Sequence, residues 1–253
     1  MTNILFSNAE DSHKHSLETL EALYEFDDFM QSIASMVDMG CGSGLDLEWW
    51  ATRTTRDENP EPLNIQCTGI DIKDRLGLPR AYKNVRYQKQ DFEESIIGRQ
   101  RYDLVWAHDS FQFVIDVFGT LKNWHSVMNE NAMLVITVPQ TTNLVRNKQV
   151  FDQHDGSYYN WTMPSLIHAL AVSGFDCKDG FFKKEVNDPW LHAIVYKGTT
   201  EPRDPRKTKF YDLIDQNVLP ETAEKSVIKY GFLRQQDLVL PWVDRSLRWM
   251  GQE

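Results

Sequence analysis

The stretch that decides the fold is MVDMGCGSGLDLE, residues 36–48. A short apolar start runs into Asp38, and glycines then follow at every second position: Gly40, Gly42 and Gly44. A helix-compatible run begins directly after them. Such an arrangement brings backbone close to a ligand, because glycine adopts positive φ and the first N–H groups of a helix lack intrahelical partners. The stretch therefore predicts a binding site for an extended, partly charged small molecule.

The glycine spacing separates the ligand classes. A dinucleotide fingerprint needs glycine at position 45, which is Leu45, and a phosphate loop needs a lysine that residues 36–53 lack. The pattern Asp-x-Gly-x-Gly-x-Gly instead resembles the first motif of the class I S-adenosylmethionine (SAM)-dependent methyltransferases. In that family the glycines lie under the methionine half of SAM, which carries no phosphate. A nucleotide-cofactor oxidoreductase and a catalytically silent SAM-fold binding protein are the two alternatives.

Two later strands are predicted to end in acids. Residues 65–72 are predicted to form one strand, with Asp71 near its end. Residues 84–92 are predicted to form another, with Asp91 near its end. An acid at the end of the second strand is placed to accept hydrogen bonds from both ribose hydroxyls. The resemblance implies that Asp91 accepts a hydrogen bond from the adenine amino group. Residues 93–97 are predicted to be helical, with Asp91 as their N-cap.

The remaining apolar segments complete an α/β fold. Residues 102–109 and 132–139 predict central parallel strands covered on both faces, and residues 175–186 and 190–197 predict a terminal antiparallel pair. With helix-compatible segments between them, the strands predict a doubly wound, seven-stranded, mostly parallel sheet with an antiparallel last strand.

The chain is predicted to have three parts: an N-terminal helical segment over 1–35, a SAM-binding domain over 36–198 and a C-terminal helical extension over 199–253. Helices in the extension are predicted over 210–217 and 241–250. The resemblance gives the N-terminal segment the role of a lid, with Tyr24 or Phe29 near the methyl group.

The resemblance also implies the cofactor and its contacts. SAM is the expected methyl donor and S-adenosylhomocysteine the product. The residues predicted to bind the cofactor are Asp38, Gly40, Cys41, Gly42, Gly44, Asp71, Ile72, Asp91, Phe92 and His108.

Transfer from a sulfonium mainly requires positioning, and a general base is needed only for a protonated, weakly acidic acceptor. We predict transfer to an oxygen or nitrogen nucleophile of a small molecule. Many methyltransferases of this kind carry histidine where Phe113 stands, so a base must come from elsewhere. The first choice is the pair His154 and Asp155, in the aromatic-rich insertion 140–163. The other candidates are His108, Asp109, Tyr158 and Tyr159.

Composition limits the partners and the location. The net charge of −10 argues against an extended nucleic-acid surface, and no apolar run is long enough to span a membrane. The first ten residues lack a secretory signal, and the three cysteines suggest neither a disulfide frame nor a metal site. We therefore predict a cytoplasmic protein. Residues 199–253 are predicted to pack on the core, close the pocket or form a homodimer contact.

Overall fold

The computed structural model describes residues 9–73, 82–96, 100–140, 159, 161–184 and 190–243 of the 253-residue chain. Its strands are β1 (Ser35–Met39), β2 (Gln66–Asp71), β3 (Val85–Lys89), β4 (Tyr102–His108), β5 (Met128–Pro139), β6 (Phe175–Lys184) and β7 (Trp190–Lys197). They form one sheet in the order β3-β2-β1-β4-β5-β7-β6. Strands β1 to β5 pair in parallel, and β7 runs antiparallel between β5 and β6. The predicted fold class is confirmed.

The α-helices of the described residues are α1 (Ala9–Tyr24), α2 (Asp27–Ser32), α3 (Leu45–Ala51), α4 (Val117–Ser126), α5 (Met163–Val172), α6 (Phe210–Asp215) and α7 (Glu221–Tyr230). One apolar cluster joins α1, α2 and α3 to one face of the sheet, and a second joins the later helices to the other face. Strand β4 contributes to both, because its side chains alternate: Leu104 and Trp106 belong to the first cluster, Val105 and Ala107 to the second.

Parallel pairing aligns the carboxyl ends of the central strands. Asp38 near the end of β1 is paired with Gly69 of β2 and with Trp106 of β4. The segments that follow β1, β2, β3 and β4 therefore emerge at one edge of the sheet, where ligands of open α/β sheets bind.

The predicted helix over 93–97 is wrong, since the described residues 91–96 form turns. Three backbone carbonyls there accept side-chain hydrogen bonds: that of Phe92 from the Trp124 indole, that of Glu93 from Asn123, and that of Ser95 from Gln90. These bonds, two of them from residues about thirty positions away, use carbonyl acceptors that a helix would direct along its own axis.

The C-terminal extension differs in part from the prediction. Helix α6 matches the segment predicted over 210–217, whereas α7 was missed, because only Ala223, Ser226 and Val227 are buried in it. Residues 241–243 are not helical, and the rest of the helix predicted over 241–250 lies outside the described residues. Leu213 and Val227 belong to the same buried cluster as Phe175 of β6, so the described extension packs on the core.

Candidate functional site

The glycine turn between β1 and α3 depends on positive φ at three positions. Gly40, Gly42 and Gly44 have φ of +82°, +52° and +81°. The N–H groups of Gly40 and Cys41 both donate to the carbonyl of Ile70, at 2.8 and 3.1 Å, which ties the turn to β2. The Cys41 side chain is buried beneath the turn, against Gly69. The turn therefore presents backbone rather than side chains to a ligand.

Asp71 closes the neighbouring corner of the site. Its Oδ2 accepts the N–H of Gly42 at 3.1 Å, and its Oδ1 accepts the N–H of Lys73 at 2.8 Å. Each carboxylate oxygen can accept more than one hydrogen bond, so ribose hydroxyls can be added. Ile72 beside it is 60% exposed, which is unusual for a large apolar side chain at a concave edge.

Asp91 and Phe92 reach the same edge from β3. One Asp91 carboxylate oxygen accepts the N–H of Glu93 at 2.9 Å, which leaves the second oxygen for a ligand. The Phe92 ring packs on Trp124 and lies 3.3 Å from the point where a Cβ on Gly40 would stand. The glycine turn, Asp71 and this pair thus line one continuous edge.

The turn after β4 borders the glycine turn from the other side. A Cβ added to Gly40 would lie 2.6 Å from the Cβ of Ser110. Asp109 has φ of +54°, and its N–H donates to the carbonyl of Thr137 on β5. Its Oδ1 accepts the side-chain amide of Gln112 at 2.6 Å. Burial raises the pKa of Asp109 from 3.8 to about 7, while the bond from Gln112 acts in the opposite direction.

A layer of imidazole and indole rings lies between β4, β7 and α1. His108 Nε2 and His15 Nδ1 are 2.9 Å apart, so one ring donates to the other. The His15 ring centroid is 5.2 Å from that of Trp190 and 5.3 Å from that of His192. Burial lowers the pKa of His108 to about 3, and the nearby His15, His192 and His13 lower it further, against the effect of Asp46. His108 is therefore a neutral ring at physiological pH.

Asp46, at the start of α3, holds the first turns of α1 against the sheet. Its carboxylate accepts the Ser16 hydroxyl at 2.7 Å and the Trp106 indole N–H at 2.8 Å, and it contacts His13 Nδ1. The N-terminal half of α1 therefore lies over the carboxyl edge of the sheet. It brings His13 and His15 there, as a lid would.

The placement of Tyr24 or Phe29 near the methyl group is wrong. The Tyr24 hydroxyl donates to the Thr54 carbonyl at 3.0 Å, beyond the far end of α3. Phe29 lies on α2, which leads into the amino end of β1. Both rings therefore belong to the edge of the sheet opposite the glycine turn.

The predicted bases do not all lie within the described residues. His154, Asp155 and Tyr158 fall outside them. The Tyr159 hydroxyl donates to the carbonyl of Ile115 at 2.8 Å. In the part of the chain that the structure describes, no group of three His, Cys, Asp or Glu side chains is arranged to hold a metal ion.

Sequence reasoning missed several residues of this edge: His13, His15, Asp46, Thr137 and His192. Only Asp46 carries a local signal, since an acid in the first turn after the glycine turn complements the helix N-terminus. The others come together from α1, β5 and β7 only through packing.

The fold and this edge define a class of protein. A family model described as a methyltransferase domain matches residues 13–177, so the chain belongs to that family. It is a class I SAM-dependent methyltransferase, with SAM as its cofactor.

Solved structures share the fold at low sequence identity. A chain of the complex between the Haloferax volcanii Trm112 methyltransferase activator and a methyltransferase matches with a TM-score of 0.55 and 13% identity, over 74% of this chain and 92% of that chain. The N-methyltransferase NodS from Bradyrhizobium japonicum WM9 matches at 0.51 and 13% identity, over 77% and 99%, and has also been solved with S-adenosylhomocysteine. The CurJ carbon methyltransferase matches at 0.55 and 14% identity, over 76% and 56%. Among curated proteins, a sequence search gives no significant match.

None of the helices described is both long and apolar enough to cross a membrane.

Proposed function

We propose that this methyltransferase transfers the methyl group of SAM to an oxygen or nitrogen nucleophile of a small molecule by in-line displacement. The observation that carries the proposal is the arrangement of the glycine turn, Asp71 and the turn after β4 along one edge of the sheet. Along that edge the backbone donors, the ribose acceptor Asp71 and the polar turn after β4 follow one another.

In this proposal the cofactor extends along the edge. Its methionine half lies over the turn formed by Gly40, Gly42 and Gly44, with Asp38 and Cys41 beneath. Asp71 accepts hydrogen bonds from the ribose, and the exposed Ile72 packs on the adenine. Asp91 and the backbone of Phe92 contact the polar edge of the base. His108 meets the amino end of the cofactor through its backbone. The first N–H groups of α3 suit the methionine carboxylate, since backbone donors at a helix N-terminus favour anions.

The acceptor side supports a small substrate. Helix α1 covers it with His13 and His15, and the ring layer fills the space behind. The net charge of −10 disfavours a nucleic-acid acceptor. His154 and Asp155 remain the predicted bases from the insertion over residues 140–163. Neighbours named as N-methyltransferase and carbon methyltransferase have this fold, so the fold alone leaves the acceptor atom open.

Calorimetric titration with S-adenosylhomocysteine tests the cofactor site. We expect wild type to bind, and Asp71→Ala to weaken binding by about tenfold or more, because hydrogen bonds to a charged group contribute about 1.5–3 kcal/mol. Asp28→Ala, an exposed acid on α2, is the matched control and should bind like wild type. Failure to bind both SAM and S-adenosylhomocysteine, or equal affinities of all three proteins, contradicts the proposed site. Transfer of labelled methyl in a metabolite screen then identifies the acceptor.

The homodimer and the cytoplasmic location are further parts of this proposal. The extension exposes Tyr211, Ile228, Phe232 and Val239, each at least half accessible. These side chains support a contact surface on the C-terminal extension, because large exposed apolar groups favour association.

A further inference from the structure

The turn after β4 combines backbone strain with unmet hydrogen-bonding capacity. Asp109 has a left-handed backbone, which costs a side chain other than glycine about 1 kcal/mol or more. Two side-chain atoms next to it, Ser110 Oγ and Gln112 Oε1, are buried and have no hydrogen-bond partner within the described residues. Unsatisfied buried groups are uncommon in native structures and call for an explanation. Here they occur in one turn together with the strain.

In the proposed function the methionine half of SAM lies over the glycine turn, so the adjoining turn after β4 lies next to the methyl group. Ser110 contacts the glycine turn at Gly40, and the backbone of Asp109 is fixed to Thr137 of β5. Ser110 and Gln112 are 3% and 1% exposed, whereas Asp109 keeps some exposed surface. Of the three, Asp109 is therefore the residue that a molecule beside the cofactor can contact.

The chemistry of the turn selects a hydrogen-bond donor. Asp109 Oδ1 is engaged by Gln112, and no donor among the residues described reaches Oδ2. The carboxylate and Gln112 Oε1 are acceptors only, and a hydroxyl such as that of Ser110 can also accept. The neighbouring His108 is neutral and supplies no positive charge. An anionic substrate would be repelled here, whereas an N–H group or an ammonium would be bound.

We propose that the turn after β4 binds the methyl acceptor through a nitrogen, so that the substrate is an amine and Asp109 accepts its proton; this inference rests on the methyl transfer proposed above. The bound ammonium first gives a proton to the Asp109 carboxylate, which frees the nitrogen lone pair to form the N–C bond to the methyl group. The C–S bond breaks, and its electron pair stays on sulfur to give S-adenosylhomocysteine. The proton on Asp109 then passes to water.

The properties of the neighbouring groups support Asp109 as the base. Its pKa of about 7 is close to working pH, which suits a general base. His108, with a pKa of about 3, is too weak a base, and the Tyr159 hydroxyl is engaged by Ile115. The titratable groups that act on its neighbour His108 are His15, His192 and His13, which lower the pKa of that ring, and Asp46, which raises it.

Three matched probes test the substrate class by calorimetry on protein saturated with S-adenosylhomocysteine: benzylamine, benzyl alcohol and benzoate. We expect benzylamine to bind at least tenfold more tightly than benzyl alcohol, and benzoate not to bind. Ionisation of Asp109 should raise the benzylamine affinity about tenfold between about pH 6 and pH 8. Asp109→Asn should abolish both the preference and the pH dependence, while Asp28→Asn, an exposed acid on α2, should keep them.

The affinity for S-adenosylhomocysteine separates this inference from the proposed function. We expect Asp109→Asn to bind it like wild type. Loss of cofactor binding in Asp109→Asn equal to the loss of amine binding would assign the carboxylate to the cofactor and overturn the inference. Equal or undetectable affinities for the three probes overturn it as well. If wild type itself fails to bind S-adenosylhomocysteine, the proposed function fails.

Discussion

Substitution of Gly40 tests whether the turn after β4 really lies against the glycine turn. In Gly40→Ala the new Cβ would stand 2.6 Å from the Ser110 Cβ and 3.3 Å from Phe92, on a backbone with φ of +82°. The left-handed conformation costs about 1–2 kcal/mol, and forcing a methyl group into a packed site costs about 1–3 kcal/mol more. We expect Gly40→Ala to lower the free energy of unfolding by about 2–5 kcal/mol.

Gly231 is a matched control for the cost of placing alanine on a left-handed backbone. It has nearly the same φ, +81°, at the end of α7, and nothing lies within 4 Å of an added Cβ. Gly231→Ala should therefore show only the conformational cost of about 1–2 kcal/mol. The difference between the two variants isolates the steric contact with Ser110 and Phe92.

Urea denaturation of the ligand-free protein measures both variants. With an m-value of about 3 kcal/mol/M, a loss of about 3 kcal/mol shifts the midpoint by about 1 M. Adding Ser110→Gly to Gly40→Ala removes the opposing Cβ and should restore part of the loss, which a double-mutant cycle quantifies. If Gly40→Ala is no more destabilised than Gly231→Ala, or if the cycle shows no coupling, Ser110 does not press on Gly40 and the two turns do not adjoin.

Three further predictions concern the first turns of α1, the buried acid Asp109 and the C-terminal extension. Asp46→Ala should leave the Trp106 indole without its acceptor, cost about 1–3 kcal/mol and raise hydrogen exchange in the first turns of α1. Burial raises the pKa of Asp109, so wild type should lose stability as pH rises from about 4 to 7, whereas Asp109→Asn should not. At pH 8 the free energy of unfolding of Asp109→Asn should exceed that of wild type by up to about 4 kcal/mol, since each unit of the upward pKa shift corresponds to about 1.4 kcal/mol. In sedimentation, wild type should run as a dimer and the double variant Ile228→Glu, Phe232→Glu as a monomer.

Each of these predictions has a contrary outcome. If hydrogen exchange in α1 is unchanged in Asp46→Ala, the Asp46 carboxylate does not hold the first turns of α1 in place. Parallel stability–pH curves for wild type and Asp109→Asn would mean that the acid is not shifted upward. A monomeric wild type, or a dimer that survives both glutamates, removes the extension as a dimer contact.

Most of the cofactor edge could be predicted from the sequence because its signals are local. The alternation Gly40, Gly42, Gly44 after a short apolar strand specifies a turn with positive φ, and three positive φ values are found there. Asp71 was predicted at a strand end from the residues just before it, and β2 ends at that residue. Buried parallel strands are predicted from apolar runs of a few residues. Parallel pairing then brings the carboxyl ends of those strands to one edge.

Residues 91–96 and helix α7 show where local patterns fail. The acid-capped segment after β3 has a helical signature, but side chains of Asn123 and Trp124, about thirty residues away, take its carbonyls. Helix α7 buries only the small side chains Ala223, Ser226 and Val227 in a mostly polar segment, so few large apolar residues mark it in the sequence.

The acceptor side was decided mainly by tertiary structure, although His108 and Asp109 were already among the bases predicted from the sequence. His15 and His108 are 93 residues apart in sequence and hydrogen-bonded in space, and His192 joins them from the antiparallel strand β7. Asp109 is marked by its φ and by burial, neither of which a sequence displays. The sequence by itself determined the class of cofactor, because glycine conformation and strand-end chemistry are properties of neighbouring residues. Which side chains meet the acceptor depends on sheet order and on the docking of α1, because those contacts join residues far apart along the chain.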